Sequence, residues 1–208
     1  MKKLTVVVTI TAVLSTACLS TNVSLDVRNP ERIELAIDYE MPRSMWELGV
    51  FDQDSPERPI PVSLRDARET AGLYDDVELV DHSIDAGDER VSVTTRYRIG
   101  SVESLASIWG RIEGRVLEFD PAGGELSIPL ARGLAAADEE QRTLIADAFR
   151  GEQFSIRIRG SHPMEIIVAD IEGARLESDR RGRDLTWSVP MATLLLSRED
   201  VILRARRE

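Results

Sequence analysis

The sequence predicts an α+β fold: an antiparallel sheet built from hairpins, with three to four short helices on one face. Three observations carry this expectation. Several short runs alternate apolar with polar residues, the period of a half-buried strand. Turn signals such as Asn29-Pro30 and Gly123-Gly124 separate those runs. Between some of them, apolar residues recur at helical spacing behind a Ser or Asp cap. Such an arrangement leaves one face of the sheet in solvent and packs the other against helices. A mixed topology with βαβ crossovers is the competing arrangement.

In chain order, Val23, Leu25 and Val27 face one way and Ser24, Asp26 and Arg28 the other. After Asn29-Pro30, residues Ile33, Leu35, Ile37, Tyr39 and Met41 alternate with Glu34, Ala36, Asp38 and Glu40, completing an opening hairpin. Residues 42–49 read as a short helix or turn carrying Met45, Trp46 and Leu48, and the proline-rich, charged residues 52–61 as a loop. Ser63 caps a helix with Asp66 at the capping-box position and with Leu64, Ala67, Ala71 and Tyr74 on its buried face. A second hairpin pairs residues 77–85 with 89–100 across Ala86-Gly87-Asp88, and Ser101 then caps a helix bearing Val102, Leu105, Ile108 and Trp109. Residues 115–119 and 125–130 make a third hairpin. A helix starts at Asp138, with Gln141 closing the capping box, Leu144, Ile145, Ala148 and Phe149 as its apolar stripe and Gly151 as its stop. Phe154, Ile156 and Ile158 mark another strand, and further strands are expected near 164–170, 173–178, 183–189 and 200–206.

The N-terminus has a different character. Lys2 and Lys3 precede an apolar stretch of about 14 residues, Leu4 to Ala17, short of the roughly 20 that a spanning helix needs. The layout is that of an export signal, ending in Leu14-Ser15-Thr16-Ala17-Cys18. Cys18 is the single cysteine of the chain. The residues before it resemble the lipobox of bacterial lipoproteins, with one departure: Ser15 stands where an aliphatic residue is usual, as in the looser boxes of spirochaetes. Ser15-Thr16-Ala17 also fits cleavage of a soluble secreted protein before the same residue. The coincidence of a lone cysteine with the cleavage point favours lipidation, because a leftover free thiol is unusual in an exported protein. Two or more acyl chains, each CH₂ contributing about 0.8 kcal/mol when buried, hold a protein firmly to a bilayer, whereas one is marginal. The expected organisation is a signal peptide at 1–17, a lipidated tether at 18–22 and a single α+β envelope domain at 23–208, with a sub-boundary near 110–124. The address is extracytoplasmic, at the inner or outer membrane of a bacterium, facing the periplasm if the envelope has one, with palmitate or a similar acyl group as the anchor.

Composition narrows the chemistry. Of 26 basic residues all but Lys2 and Lys3 are arginine, set against 37 acidic residues, for a net charge of −11. A leader carrying both lysines leaves a lysine-free remainder, which excludes Schiff-base chemistry, a P-loop lysine and a Ser–Lys dyad. Its acidity disfavours nucleic acid and charge-driven binding to anionic lipid. With Cys18 acylated there is no disulfide and no thiolate ligand. His82 is placed in a strand and His162 in the turn Ser161-His162-Pro163, and no metal or triad motif accompanies either. Acidic groups at 52–54, 75–76, 85–89 and 138–140 lack calcium-loop spacing and read as solvated turns and a helix start. A carboxylate-pair hydrolase of wall polymer stays open, because sequence does not show which carboxylates meet. Arg180-Arg181-Gly182-Arg183 reads as a hairpin turn, with contact to anionic lipid or polymer as the sharper alternative. Trp46, Trp109 and Trp187 are core residues by default; on a strongly curved sheet they would instead line a groove for an amphiphile.

The strand–helix unit Arg90–Trp109, with Tyr97 and Arg98 leading into Ser104-Leu105, and the strand end Asp184-Leu185-Thr186-Trp187-Ser188-Val189-Pro190 followed by Leu194–Leu196, carry a resemblance. With Cys18, they resemble the small bacterial lipoproteins with an LppM-type domain. Members of that family commonly end in a membrane helix, for which the C-terminal residues here are not apolar enough. The resemblance implies an envelope domain with a lipid-binding role and no enzyme activity. The expected function is therefore a lipid-anchored, non-enzymatic envelope protein without cofactor or metal, binding an amphiphile or an envelope protein at the membrane surface. A periplasmic carboxylate hydrolase and a structural or assembly lipoprotein are the alternatives.

Overall fold

The computed structural model describes residues 19–47, 63–113, 117–120, 124–131, 138–168 and 171–207. Among them are eleven strands and five short helices. The strands are β1 (Ser20–Asp26), β2 (Ile33–Pro42), β3 (Val77–Ala86), β4 (Arg90–Ile99), β5 (Glu118–Asp120), β6 (Glu125–Ala131), β7 (Gln153–Arg159), β8 (Met164–Ile167), β9 (Arg175–Ser178), β10 (Asp184–Pro190) and β11 (Val201–Arg207). The helices are α1 (Arg43–Glu47), α2 (Leu64–Ala71), α3 (Val102–Glu113), α4 (Glu139–Ala148) and α5 (Met191–Leu195).

The strands form two sheets, not one. Seven are ordered β3-β4-β2-β1-β7-β10-β9 and four are ordered β5-β6-β11-β8. The alternation read from the sequence sets the faces of the large sheet. Leu35, Ile37 and Tyr39 of β2, Val91, Val93 and Tyr97 of β4, and Ile156 and Ile158 of β7 are buried, while their polar neighbours point outward. The outward layer crosses the strands in register: Thr94 opposite Asp38, Asp38 opposite Asn22, Asn22 opposite Ser155 and Ser155 opposite Ser188. This is the alternation of a sheet with one solvated face.

The buried face meets the helices and the small sheet in one continuous core, with buried residues on both sides of 110–124. Helix α2 lies on β4, where the Tyr97 hydroxyl donates to the Ala67 carbonyl at 3.4 Å. Helix α3 reaches the small sheet through Trp109, whose Nε1–H donates to the Pro129 carbonyl at 2.9 Å. The Arg142 guanidinium of α4 donates to the Leu196 carbonyl just past α5, at 3.0 Å.

Both predicted capping boxes form. The Ser63 hydroxyl accepts from the Asp66 amide while the Asp66 carboxylate accepts from the Ser63 amide, and Asp138 with Gln141 does the same. The buried faces of these helices are narrower than predicted. Leu64 and Leu144, assigned to the apolar stripes, are exposed. Contact is made instead by Ala67 with Ala71 and by Ile145 with Phe149, each pair one turn apart; Leu144, beside Ile145, turns away, and Leu64 is the first residue of its helix, at the end beyond that contact.

Three further expectations are corrected. The large sheet is mixed, because β1 pairs parallel with β7, Val23 opposite Ile156. A parallel pair needs a long crossover, and here the intervening segment carries β2 through α4. Ser20, Thr21 and Asn22, assigned to a tether, are paired residues of β1, flanked by β2 and β7. Residues 191–195 form α5, which no period in the sequence announced.

Candidate functional site

Strand β1 is the central strand of the large sheet, and its first residues are held unusually firmly. Leu19, one position after Cys18, is already buried at 4% exposure. The Ser20 hydroxyl donates to Glu152 Oε2 at 2.5 Å and accepts from the Gln153 amide at 3.1 Å. Glu152 is brought there by the turn after α4. Gly151 adopts a positive φ of 84°, which a residue without Cβ tolerates, and reverses the chain into β7. The Glu152 backbone carbonyl accepts from the Met191 amide at 2.9 Å, fixing the start of α5 as well.

The Glu152 carboxylate is shared. Arg90, the first residue of β4, donates through Nη1 and Nη2 to its two oxygens at 3.2 and 3.0 Å. The same guanidinium donates to the Glu40 backbone carbonyl at 3.2 Å and pairs through Nε with the Glu40 carboxylate at 2.8 Å. Four strands of the large sheet are thus tied at one end by Ser20, Glu40, Arg90 and Glu152. Burial by itself would raise the Glu152 pKa, but the hydrogen bonds from Arg90 and Ser20 and the Arg90 charge outweigh it and hold the carboxyl below its ordinary value. Arg90 is raised in turn, chiefly by its bond to Glu152. A general acid needs a pKa moved up toward the working pH. Glu152 is moved down, so the cluster is a bracket of fixed charges and a poor proton donor.

The opposite end of β1 has its own ion cluster. Asp26 accepts three bonds from the Arg28 guanidinium and one from the Arg28 amide, and these, with the charges of Arg28 and Arg159, overcome the upward effect of burial to lower its pKa. Asp184 pairs with Arg157 and, at 3.4 Å, with Arg159, and the Arg157 bond lowers its pKa most. Asp76, read as a solvated turn residue, accepts from the Ser104 hydroxyl at 2.5 Å, and bonds from Ser101 and Ser104 lower its pKa.

The residues singled out in the sequence are dispersed. Cys18 lies outside the described residues, as does the acidic group at 52–54. Trp187 packs edge-on against Phe154 with ring centroids 6.4 Å apart, and Trp109 sits between α3 and β6; both are core residues at 2% exposure or less. Trp46 in α1 is half-buried against the same core, so it alone of the three reaches the surface. His82 bonds through Nδ1 to Thr95 Oγ1 at 3.0 Å in β3–β4, and burial lowers its pKa. His162 is exposed in its turn, and residues 180–183 form the exposed turn between β9 and β10. Among the described residues, no group of three or more His, Cys, Asp or Glu is placed to hold a metal ion, and no helix is long and apolar enough to cross a membrane.

The bracket of Ser20, Arg90, Glu152 and Glu40 was not anticipated. Its members are ordinary polar residues at the ends of strands, and only the parallel pairing of β1 with β7 brings Ser20 and Glu152 together. No sequence period encodes that pairing.

No protein-family model matches the chain, and no curated protein matches it. Among solved structures it is similar to the folded domain of the LppM protein of Mycobacterium tuberculosis, determined by NMR, at 11% identity over 92% of this chain and 91% of that one, with a TM-score of 0.41. The expected likeness to LppM-type domains is present as a weak structural resemblance, and it bears on neither activity nor partner.

Proposed function

We propose that this is a lipid-anchored envelope protein, acylated at Cys18, that works at a membrane surface as a non-enzymatic binding domain for an amphiphile or an envelope protein. The carrying observation is the position of Cys18, between an apolar stretch and a buried residue. An export leader ends at Ala17, and by Leu19 the chain is buried in the core. On this reading Cys18 stands directly between a removable leader and the buried Leu19, where cleavage would leave it as the acylated first residue. Of the three tryptophans only Trp46 reaches the surface, so an amphiphile would meet the domain around α1 and not in a groove lined by Trp109 and Trp187.

The test is expression of the whole chain and of a Cys18→Ser variant in a bacterial host, followed by membrane fractionation and intact-mass analysis. The parent chain should pellet with membranes and carry acyl mass on a chain beginning at residue 18. The variant should lose both. A variant that is processed and fractionates like the parent overturns the proposal.

A further inference from the structure

We infer that one end of the large sheet rests on the lipid headgroups: the end formed by Ser20, α1, the β3–β4 turn at residues 87–89, and Pro190. This rests on the lipid-anchor reading and adds an orientation to it. One residue, Leu19, separates Cys18 from Ser20, and an extended chain spans at most about 3.5 Å per step, so over two steps the anchored Cα lies within about 7 Å of the start of β1. A flexible tether would let the domain turn freely. Here there is no slack, because Leu19 is buried and Ser20 is bonded to both Glu152 and Gln153.

Strand direction then decides which elements share that end. Strand β2 finishes there at Pro42, β4 starts there at Arg90 opposite Pro42, and β7 and β10 bring Gln153 and Pro190 to it as a registered pair. Helix α1 leaves β2 at the same end, fixed by the Arg43 amide donating to the Glu89 carbonyl at 2.8 Å and the Arg43 guanidinium donating to the Gly87 carbonyl at 3.2 Å. It places the half-buried Trp46 ring there, a residue suited to the boundary between headgroups and acyl chains. The residues 179–183 turn belongs to the far end, beside the Asp184–Arg159 pair.

The near end does not approach lipid by charge. Glu40, Glu47, Asp85, Asp88, Glu89 and Glu152 outnumber Arg43, Arg90, Arg150 and Arg175 there, an acidic balance that anionic headgroups would repel. The occupant is thus a neutral, zwitterionic headgroup layer, held in contact by the anchor.

The experiment uses the full acylated chain in phosphatidylcholine vesicles containing a lipid with a gadolinium chelate on its headgroup. A spin label is attached at Asp88→Cys or Arg181→Cys, both exposed turn positions, and acylation of Cys18 leaves the introduced thiol as the one that reacts. The ten residues of β4 at about 3.3 Å each separate the two ends by roughly 30 Å, and dipolar relaxation falls with the inverse sixth power of distance, so enhancement at position 88 should exceed that at 181 on the order of tenfold or more. Equal enhancement at both positions, or the reverse order, in an acylated membrane-bound protein overturns the docking and leaves the anchor standing. A protein without acyl mass that stays in solution overturns the anchor and the docking with it.

Discussion

Ser20 and Glu152 stand 132 positions apart in the chain and 2.5 Å apart in the fold, and their hydrogen bond closes the large sheet at its central parallel pair. Periodicity foretells neither partner of this contact. The contact joins the first residue of β1 to the turn after α4, and through Arg90 to the β2–β4 pair.

Removing the Glu152 carboxylate should cost stability. Its side chain is 10% exposed and serves Arg90 and Ser20 at once. Breaking such a pair leaves a guanidinium and a hydroxyl short of partners, at about 2–4 kcal/mol. Glu152→Ala should show this loss in urea unfolding, and Glu152→Gln, which keeps the shape and one acceptor, a smaller one. The Arg90–Glu40 pair is more open to solvent, and Glu40→Gln should change stability by less than about 1 kcal/mol.

Acid should unfold the domain through its carboxylates. Glu152, Asp26, Asp184 and Asp76 all have folded-state pKa values below their ordinary ones of 4.5 for Glu and 3.8 for Asp. As pH falls the unfolded chain binds protons first, so the stability these groups contribute is full above about pH 5 and is lost as pH drops through the folded values. Urea midpoints between pH 7 and pH 3 should trace this fall. Glu152→Gln should make the slope shallower, and an unchanged slope would remove Glu152 from the account.

His82 should titrate low. Burial lowers its pKa below 6.5, against the upward pull of Asp81 and Asp66. An NMR titration should place its midpoint under that of a free histidine. Stability should decline as pH falls from about 6.5 toward the folded value, because the unfolded imidazole protonates first. Replacing His82 by Gln should erase that portion of the pH profile.

Trp109 should prove structural. Trp109→Phe retains most of the packing but orphans the Pro129 carbonyl, a cost of about 1–2 kcal/mol, while Trp109→Ala should cost about 3–5 kcal/mol. Thermal unfolding of the two variants gives the comparison, and a neutral Trp109→Phe would argue against the bond.

Gly124→Ala should be destabilising by about 1 kcal/mol or more. Its φ is 67°, and an added Cβ would lie 3.0 Å from the Arg207 Cβ, where the Gly124 carbonyl holds the end of β11. The denaturant midpoint of the variant measures it.

What was legible in the sequence was local. The alternation in β2 and β4 reports which side of each strand is buried, because successive side chains point to opposite faces whatever the strand pairs with. The Ser63 and Asp138 capping boxes are contacts between residues three apart, so the chain carries them without help from the fold. The hairpins of β1 with β2 and β3 with β4 join neighbours through short turns. The lone Cys18 behind an apolar leader likewise needs no tertiary structure to be seen.

The chain alone thus determined the faces of its main strands, its main helix caps and its acidic character. The tertiary structure alone decided that the strands divide into two sheets, that β1 runs parallel to β7, and that Ser20 is locked into the sheet by Glu152 and Arg90. The physical reason is that a period states which face a residue shows but not which partner it meets. Partners distant in sequence are selected by packing the whole apolar surface at once. The placement of Glu152 beside Ser20 is a consequence of that global choice.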